Sequence, residues 1–163
     1  MIRRCTDADV SAILAIINDA AEAYRGVIPA DCWHEPYMTG GYLRDELAAG
    51  VEFIGSYDDG ALDGVMGLQK VRDVTLIRHA YVRPSHQSKG VGGALMGALL
   101  TNVDGPLLVG TWAAASWAIR FYEKHGFRLV GPDEKDRLLE AYWTIPPRQR
   151  ETSVVLVRTF PVT

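Results

Sequence analysis

The stretch that most constrains this chain is Tyr81 to Leu100, YVRPSHQSKGVGGALMGALL, where a strand-like run gives way to a helix-like one across Gly90, Gly92 and Gly93. A tight turn needs one glycine for its freedom at positive φ; a plain connector rarely needs three. Glycines at a helix entrance also uncover backbone N–H groups, and the helix dipole adds partial positive charge at the same point. The segment therefore reads as an amide nest for one anion, running from Gln87 to Gly93, with Lys89 or Arg83 as candidate charged contacts. Two other glycine-rich sites do not fit. A P-loop needs Gly, four residues, Gly-Lys and then Ser or Thr, a pattern that occurs nowhere here. A dinucleotide fingerprint would need Gly or Ala three residues after Gly92, where Leu95 stands.

Around this segment the pattern alternates between helix and strand. IRRC opens as a short strand, and Asp7 and Asp9 precede Val10, Ile13, Leu14, Ile16 and Ile17 at helical spacing. Gly26, Pro29 and Pro36 interrupt the pattern across YRGVIPADCWHEPYM, a loop rich in aromatic and polar side chains. YLRDELAAG reads as a second helix stopped by Gly50. VEFIGSY and ALDGVMGLQKV flank DDG, a hairpin signal. DVTLIRHAYV carries apolar residues on both faces, as a central strand covered on both sides does; alternation sends Arg78 and His79 to opposite faces. Ala94 to Thr101 follow as a helix, then PLLVGTW as a buried strand and SWAIRFYEKHG as a helix closed by Gly126. FRLVG and, past a long polar loop, ETSVVLVRTF supply the last strands. The order βα(α)βββαβαββ predicts a single α/β domain over residues 1–163, with a mixed central sheet flanked by helices on both faces.

Seventeen Lys and Arg stand against twenty Asp and Glu, a net charge of -3, which argues against a general grip on nucleic acid. The most apolar helical stretch, Val91 to Leu100, is too short to span a bilayer, so no membrane partner is expected. Cys5 and Cys32 stand at no metal-ligand spacing, and MIRRCTDADV has no apolar signal core. A reducing cytoplasm, two free thiols and no metal are expected.

QSKGVG, Gln87 to Gly92, resembles the Q/R-x-x-G-x-G/A signature of the GNAT superfamily of acyl-CoA-dependent N-acyltransferases. LIRHAYVRP is like the strand that leads into that signature. FYEKHGF, Phe121 to Phe127, resembles a second hallmark, a helix ending in tyrosine, charged residues and Gly-Phe. The element order agrees along nearly the whole chain. The resemblance implies acetyl-CoA as co-substrate, its pyrophosphate held by Gln87, Ser88, Lys89, Gly90, Val91, Gly92 and Gly93. It implies that the pantetheine arm pairs with the backbone of Ala80, Tyr81 and Val82. The acetyl group then lies where DVTLIRHAYV and PLLVGTW splay apart, and an amine attacks the thioester directly, with no covalent enzyme intermediate. Many members carry asparagine three residues before the alanine of the second-motif helix. Here Ala115 stands in that place, and Ser116, next along, either contacts the coenzyme or caps the helix.

Direct attack needs a neutral amine, a stabilised oxyanion and a proton for the leaving thiolate. By resemblance the proton donor maps onto Tyr122 and the oxyanion donor onto the backbone N–H of Val82. For the base the strand offers His79, which titrates in the right range, although a buried structural histidine fits the same position. Arg78 would suit an acceptor bearing a carboxylate or phosphate. GNAT members often close the acceptor site with the connection between the first two helices, which makes Trp33, His34, Glu35 and Tyr37 candidate lining residues, unless the loop packs its own aromatics. AYWTIPPRQRETS, with Arg148 and Arg150, either leans over the same site or only adds solubility. The expected reaction is acetyl transfer to a primary amine of a small molecule, an amino acid or an amino-acid-like toxin or antibiotic. The alternatives are acetylation of a protein N-terminus or lysine, and a non-catalytic acyl-CoA-binding sensor. Monomer or homodimer is left open.

Overall fold

Largely buried apolar runs build one seven-stranded sheet in the computed structural model, which describes residues 1–159. Its strands are β1 (Ile2–Arg4), β2 (Glu52–Asp58), β3 (Ala61–Val71), β4 (Val74–Val82), β5 (Leu107–Trp112), β6 (Arg128–Leu129) and β7 (Ser153–Arg158). They lie in the order β1-β2-β3-β4-β5-β7-β6. All neighbours are antiparallel except β4 and β5. The sheet is therefore mixed, as expected. The β2–β3 hairpin turns on Asp59 and Gly60, at φ 51° and 80°, the two positive-φ positions that a tight hairpin matching the strand twist requires. Phe160, the last residue of the expected strand ETSVVLVRTF, lies outside the described residues.

Helices cover both faces. On one face α1 (Val10–Ala21) and α2 (Gly40–Ala48) pack Ile13, Ile16, Ile17 and Leu43 against Phe53 and Val65. On the other, α3 (Val91–Asn102) and α4 (Ser116–Lys124) pack Leu95, Met96, Leu99 and Tyr122 against Met66, Ile77, Val109 and Leu156. Each such Leu or Ile contributes about 1.5–3 kcal/mol by leaving water. α2 starts where Thr39 Oγ1 accepts from the Tyr42 amide at 3.0 Å, a side-chain cap. No helix among the described residues is long and apolar enough to cross a membrane.

Three local expectations are corrected. The polar stretch before the last strand is not a loop: it holds α5 (Pro132–Tyr142) and α6 (Pro147–Glu151). Leu138, Leu139 and Tyr142 of α5 pack on Leu76, Leu108 and Val155. α3 starts at Val91 rather than Ala94, so Gly92 and Gly93 sit in its first turn.

The third correction concerns β4, where strict alternation fails. Val65 pairs with Tyr81 and Gly67 with Arg78, so His79 and Ala80 together face Met66. This is a β-bulge, and His79 occupies its left-handed position at φ 58°. The extra residue resets the side-chain parity, and Arg78 and His79 share a face instead of opposing one another.

Candidate active site

β4 and β5 pair only through Thr75, Leu76 and Ile77 with Leu107, Leu108 and Val109. Past that point the strands part, and each leaves a run of main chain without its parallel neighbour. Two cavities flank the gap. One of about 770 Å³ is lined by Met66, Ala80, Val82, the Gln87–Ser88 and Gly90–Gly93 backbone and α4 residues including Tyr122. The other, about 580 Å³, is lined by Arg78, His79, Tyr42, His34, Tyr37 and Arg148 among others.

The glycine segment forms the rim of the larger cavity. Ser88 and Gly90 adopt left-handed backbone at φ 72° and 80°, which turns the chain into the helix mouth. Among the described residues the amides of Ser88, Gly90, Val91, Gly92 and Gly93 make no backbone hydrogen bond. Those of Gln87 and Lys89 turn back to Pro84 and His86 at 3.4 Å. The uncovered amides at the start of α3 are what an anion needs. Gly92 has a packing reason as well: a Cβ there would come within 3.3 Å of the Phe121 ring. Gln87 Nε2 donates to Val82 O at 3.3 Å, fastening the nest to the end of β4. Arg83 faces elsewhere, with Nε on Leu62 O at 2.8 Å. Lys89 and Ser116 do not line this cavity, and α4 starts from Ala115 with no side-chain cap.

Tyr122 is buried between Phe121 and Phe127 and lines the same cavity. Burial, and then the neighbouring Tyr24, hold its phenol well above the usual tyrosine range. It is a protonated O–H at any ordinary pH.

On the opposite face the bulge aims His79 at α2. His79 Nε2 lies 2.7 Å from Glu46 Oε1, and Arg78 Nη2 donates to the same oxygen at 2.8 Å. Arg78 Nη1 also donates to Gln69 Oε1 at 3.1 Å, so much of its fork is engaged inside the protein. Burial pushes the Glu46 carboxyl up, but the His79 hydrogen bond and the Arg78 charge outweigh it and leave the pKa below the usual value. An ionised carboxylate only accepts. The hydrogen bond to Glu46 therefore has a proton on His79 Nε2. Glu46 was not legible in the sequence: it sits in YLRDELAAG among other charged helix residues, and only the strand bulge reveals its partner.

Aromatic rings stand between the two cavities. Tyr24 lies with its hydroxyl 3.5 Å from that of Tyr81 and its ring 5.4 Å from that of Tyr37. Trp112 Nε1 donates to the Tyr37 hydroxyl at 2.8 Å. Burial, reinforced by Tyr24, holds Tyr37 and Tyr81 above the usual range too. Of the expected loop residues, His34 and Tyr37 line the smaller cavity and Trp33 and Glu35 do not. Glu35 instead accepts from Trp33 Nε1 at 3.2 Å and pairs with Arg25, whose guanidinium covers the Trp33 ring. Arg148 of α6 grips Asp31 with two hydrogen bonds, 2.8 and 3.2 Å, and so ties the loop across this cavity. Arg150 Nη2 turns to Asp136 O at 3.4 Å. Both cysteines are free.

Residues 49–129 match the family model of the acetyltransferase (GNAT) domain. Solved structures share the fold. The PaiA N-acetyltransferase from Thermoplasma acidophilum in complex with coenzyme A superposes with a TM-score of 0.70 at 16% identity, covering 98% of each chain. A ribosomal-protein-alanine N-acetyltransferase from Brucella melitensis gives 0.67 at 19% identity, covering 98% of this chain and 99% of that one. N-acetylglutamate synthase from Neisseria gonorrhoeae, with coenzyme A and N-acetyl-glutamate, gives 0.66 at 21% identity over 99% of this chain and 35% of its own. No curated protein matches the sequence of this chain.

Proposed function

This chain belongs to the GNAT superfamily of acyl-CoA-dependent N-acetyltransferases and uses acetyl-CoA as co-substrate, and on that premise we propose that it acetylates the primary amine of a small molecule by direct attack. The observation that carries this reading is the parting of β4 from β5 between two cavities. Coenzyme enters from the α3–α4 face, its phosphates on the nest from Gln87 to Gly93 and its pantetheine arm along Ala80, Tyr81 and Val82. The amine enters from the cavity that holds His79.

The amine lone pair attacks the thioester carbonyl carbon, the Val82 N–H steadies the oxyanion, and the C–S bond breaks as the amide forms. His79 Nδ1 takes the proton that the attacking nitrogen loses, while Glu46 fixes the tautomer and favours the imidazolium. Tyr122 gives its proton to the departing thiolate, so the products are an amide and the free thiol of coenzyme A. Burial keeps the Tyr122 proton in place in the resting protein, and the same apolar surroundings disfavour a bare thiolate beside it, which is what draws the proton across.

The acceptor class follows from the walls of the second cavity. Tyr37 and Trp112 line it and the Arg148–Asp31 tie crosses its rim, and a pocket of about 580 Å³ with these walls has room for an amino acid or amino-acid-like compound. The test is a panel of amines, including amino acids, aminoglycoside-type compounds and peptides with a free N-terminus, incubated with acetyl-CoA and read by product mass. A mass gain of one acetyl group on a small amine supports the reading. Acetylation of peptides alone replaces it with protein acetylation, and binding of acetyl-CoA with no product on any amine replaces it with a sensor.

A further inference from the structure

Three side chains from separate stretches converge where the β2–β3 hairpin meets the turn ahead of the nest. They are Asp58 at the end of β2, Asp63 in β3, and His86 in the 3-10 turn Pro84–His86. One oxygen or nitrogen from each lies within 4.8 Å of the other two. His86 Nε2 is 3.6 Å from Asp58 Oδ2, beyond a hydrogen bond. Asp63 separates this cluster from an ordinary acidic surface. It is only 5% exposed, and its Oδ1 has no hydrogen-bond partner among the described residues. A buried carboxylate oxygen with nothing to accept from is strongly disfavoured, and the explanation most often lies in a missing water or ion. Arg83 donates its backbone N–H to the Asp63 carbonyl at 2.8 Å, but its guanidinium goes to Leu62 O and towards Asp19.

The surroundings of His86 allow it to act as a ligand. Its Nδ1 lies 2.9 Å from Ser85 Oγ. With Nδ1 donating to that hydroxyl, the Nε2 lone pair is left facing the carboxylates, which is how a ligating imidazole is held by its second partner.

We propose that Asp58, Asp63 and His86 form a divalent-cation site, occupied by a borderline ion such as Zn²⁺. Two carboxylates with one imidazole suit that ion better than Ca²⁺ or Mg²⁺, which take oxygen-only shells of six or more ligands. Two ligands about 2.0–2.1 Å from a tetrahedral centre lie roughly 3.4 Å apart, close to the 3.6 Å between His86 and Asp58. The site does no chemistry on the thioester. Its ion clips the hairpin to the turn that opens the nest, and His86 itself lines the coenzyme cavity beside Gln87 and Ser88. Occupancy therefore stiffens the phosphate-binding loop and raises coenzyme affinity. That coupling rests on the acetyl-CoA reading above; the metal site does not.

The experiment uses untagged, chelator-stripped full-length protein titrated with Zn²⁺ by calorimetry, with Co²⁺ as an absorbing probe. We expect one saturable equivalent, a visible Co²⁺ spectrum, and at least a tenfold loss of Zn²⁺ affinity in Asp63→Asn and in Asp58→Asn. Asp63→Asn replaces an unpartnered buried charge with a neutral isostere, so the metal-free variant should melt above the metal-free wild type; lost binding is then not misfolding. Absence of stoichiometric binding in the wild type, or equal binding in Asp63→Asn, overturns the site. Acetyl-CoA should bind several-fold tighter with Zn²⁺ present. Unchanged acetyl-CoA affinity at a zinc-loaded site overturns the coupling alone, and no acetyl-CoA binding with or without zinc counts against the coenzyme reading instead.

Discussion

His79 Nε2 lies 2.7 Å from Glu46 Oε1, so a histidine on the central strand is oriented by a carboxylate from the second helix. The pair resembles a base and its orienting acid in chemistry, and its histidine lines one cavity while Tyr122 lines the other.

Loss of the imidazole should cost the most. In His79→Gln, turnover is expected to fall about a hundred- to ten-thousandfold with acetyl-CoA affinity unchanged. The acidic limb of the pH–rate profile should flatten at the same time. Glu46→Gln keeps the shape, removes the charge, and should cost roughly tenfold to a hundredfold. Steady-state rates across pH decide it: a lower melting temperature with the limb intact would make His79 structural.

Glu46 also makes stability depend on pH. Its folded pKa is depressed, so it contributes stability that is fully present above the unfolded carboxylate value of about 4.3 and is lost as pH falls through the folded pKa. A hydrogen bond to a charged group such as the Glu46 carboxylate is worth about 1.5–3 kcal/mol. The melting-temperature gap between wild type and Glu46→Gln should therefore be open at neutral pH and close below about pH 4. A gap that persists in acid would deny the carboxylate its charged state in the fold.

Tyr122→Phe removes one hydroxyl and keeps the ring between Phe121 and Phe127. Acetyl-CoA affinity should hold while turnover falls about a hundred- to ten-thousandfold, or roughly 3–5 kcal/mol in the barrier. The fall should shrink for an acyl donor with a more acidic thiol. Full turnover by the variant with a confirmed amine would falsify the role.

Gly92 serves two demands, and they can be separated. Gly92→Ala presses a methyl group on Phe121 and should lower the melting temperature. Pairing it with Phe121→Leu makes room and should restore much of the loss. If acetyl-CoA affinity returns with stability, the glycine is there for the ring; if affinity stays low, it is there for the coenzyme.

Arg148→Ala unfastens the acceptor loop from α6. Both partners are exposed, so stability should change by less than about 1 kcal/mol. KM for the amine should rise several-fold with acetyl-CoA KM unchanged, as initial-rate kinetics would show. Equal KM values in variant and wild type would remove the loop from the acceptor site.

The sequence made the glycine-bearing entry to α3, the central strand and the hairpin legible because each rests on local chemistry: glycines, apolar runs and an Asp-Gly turn. The place of Tyr122 near the end of α4 was legible through the Gly126-Phe127 ending of that helix. The misses have physical causes. α5 carries its own signals, Pro132 at the first helical position and Asp133 and Glu134 in the first turn, but its polar exposed face hides the apolar stripe of Leu138, Leu139 and Tyr142. The Glu46–His79 contact depends on a bulge, and a one-residue change of register leaves no mark in composition or periodicity. Ser116 has the chemistry of a helix cap, yet the chain starts α4 from Ala115 with no side-chain cap.

The bulge works like an inversion of odd and even. Up to Arg78 one set of positions in β4 looks towards α2; beyond His79 the opposite set does, with Tyr81 on that side and Ala80 and Val82 on the other. Removing that one residue would keep a strand and its pairing, with Ala80 opposite Met66, Tyr81 opposite Val65 and Val82 opposite Gly64 as before, and would delete only the second side chain that the bulge sets on the α2 face. Such a deletion would take the imidazole away from Glu46 and leave the opposite face of β4 as it is, so a single extra residue lets one face of the strand be altered without the other.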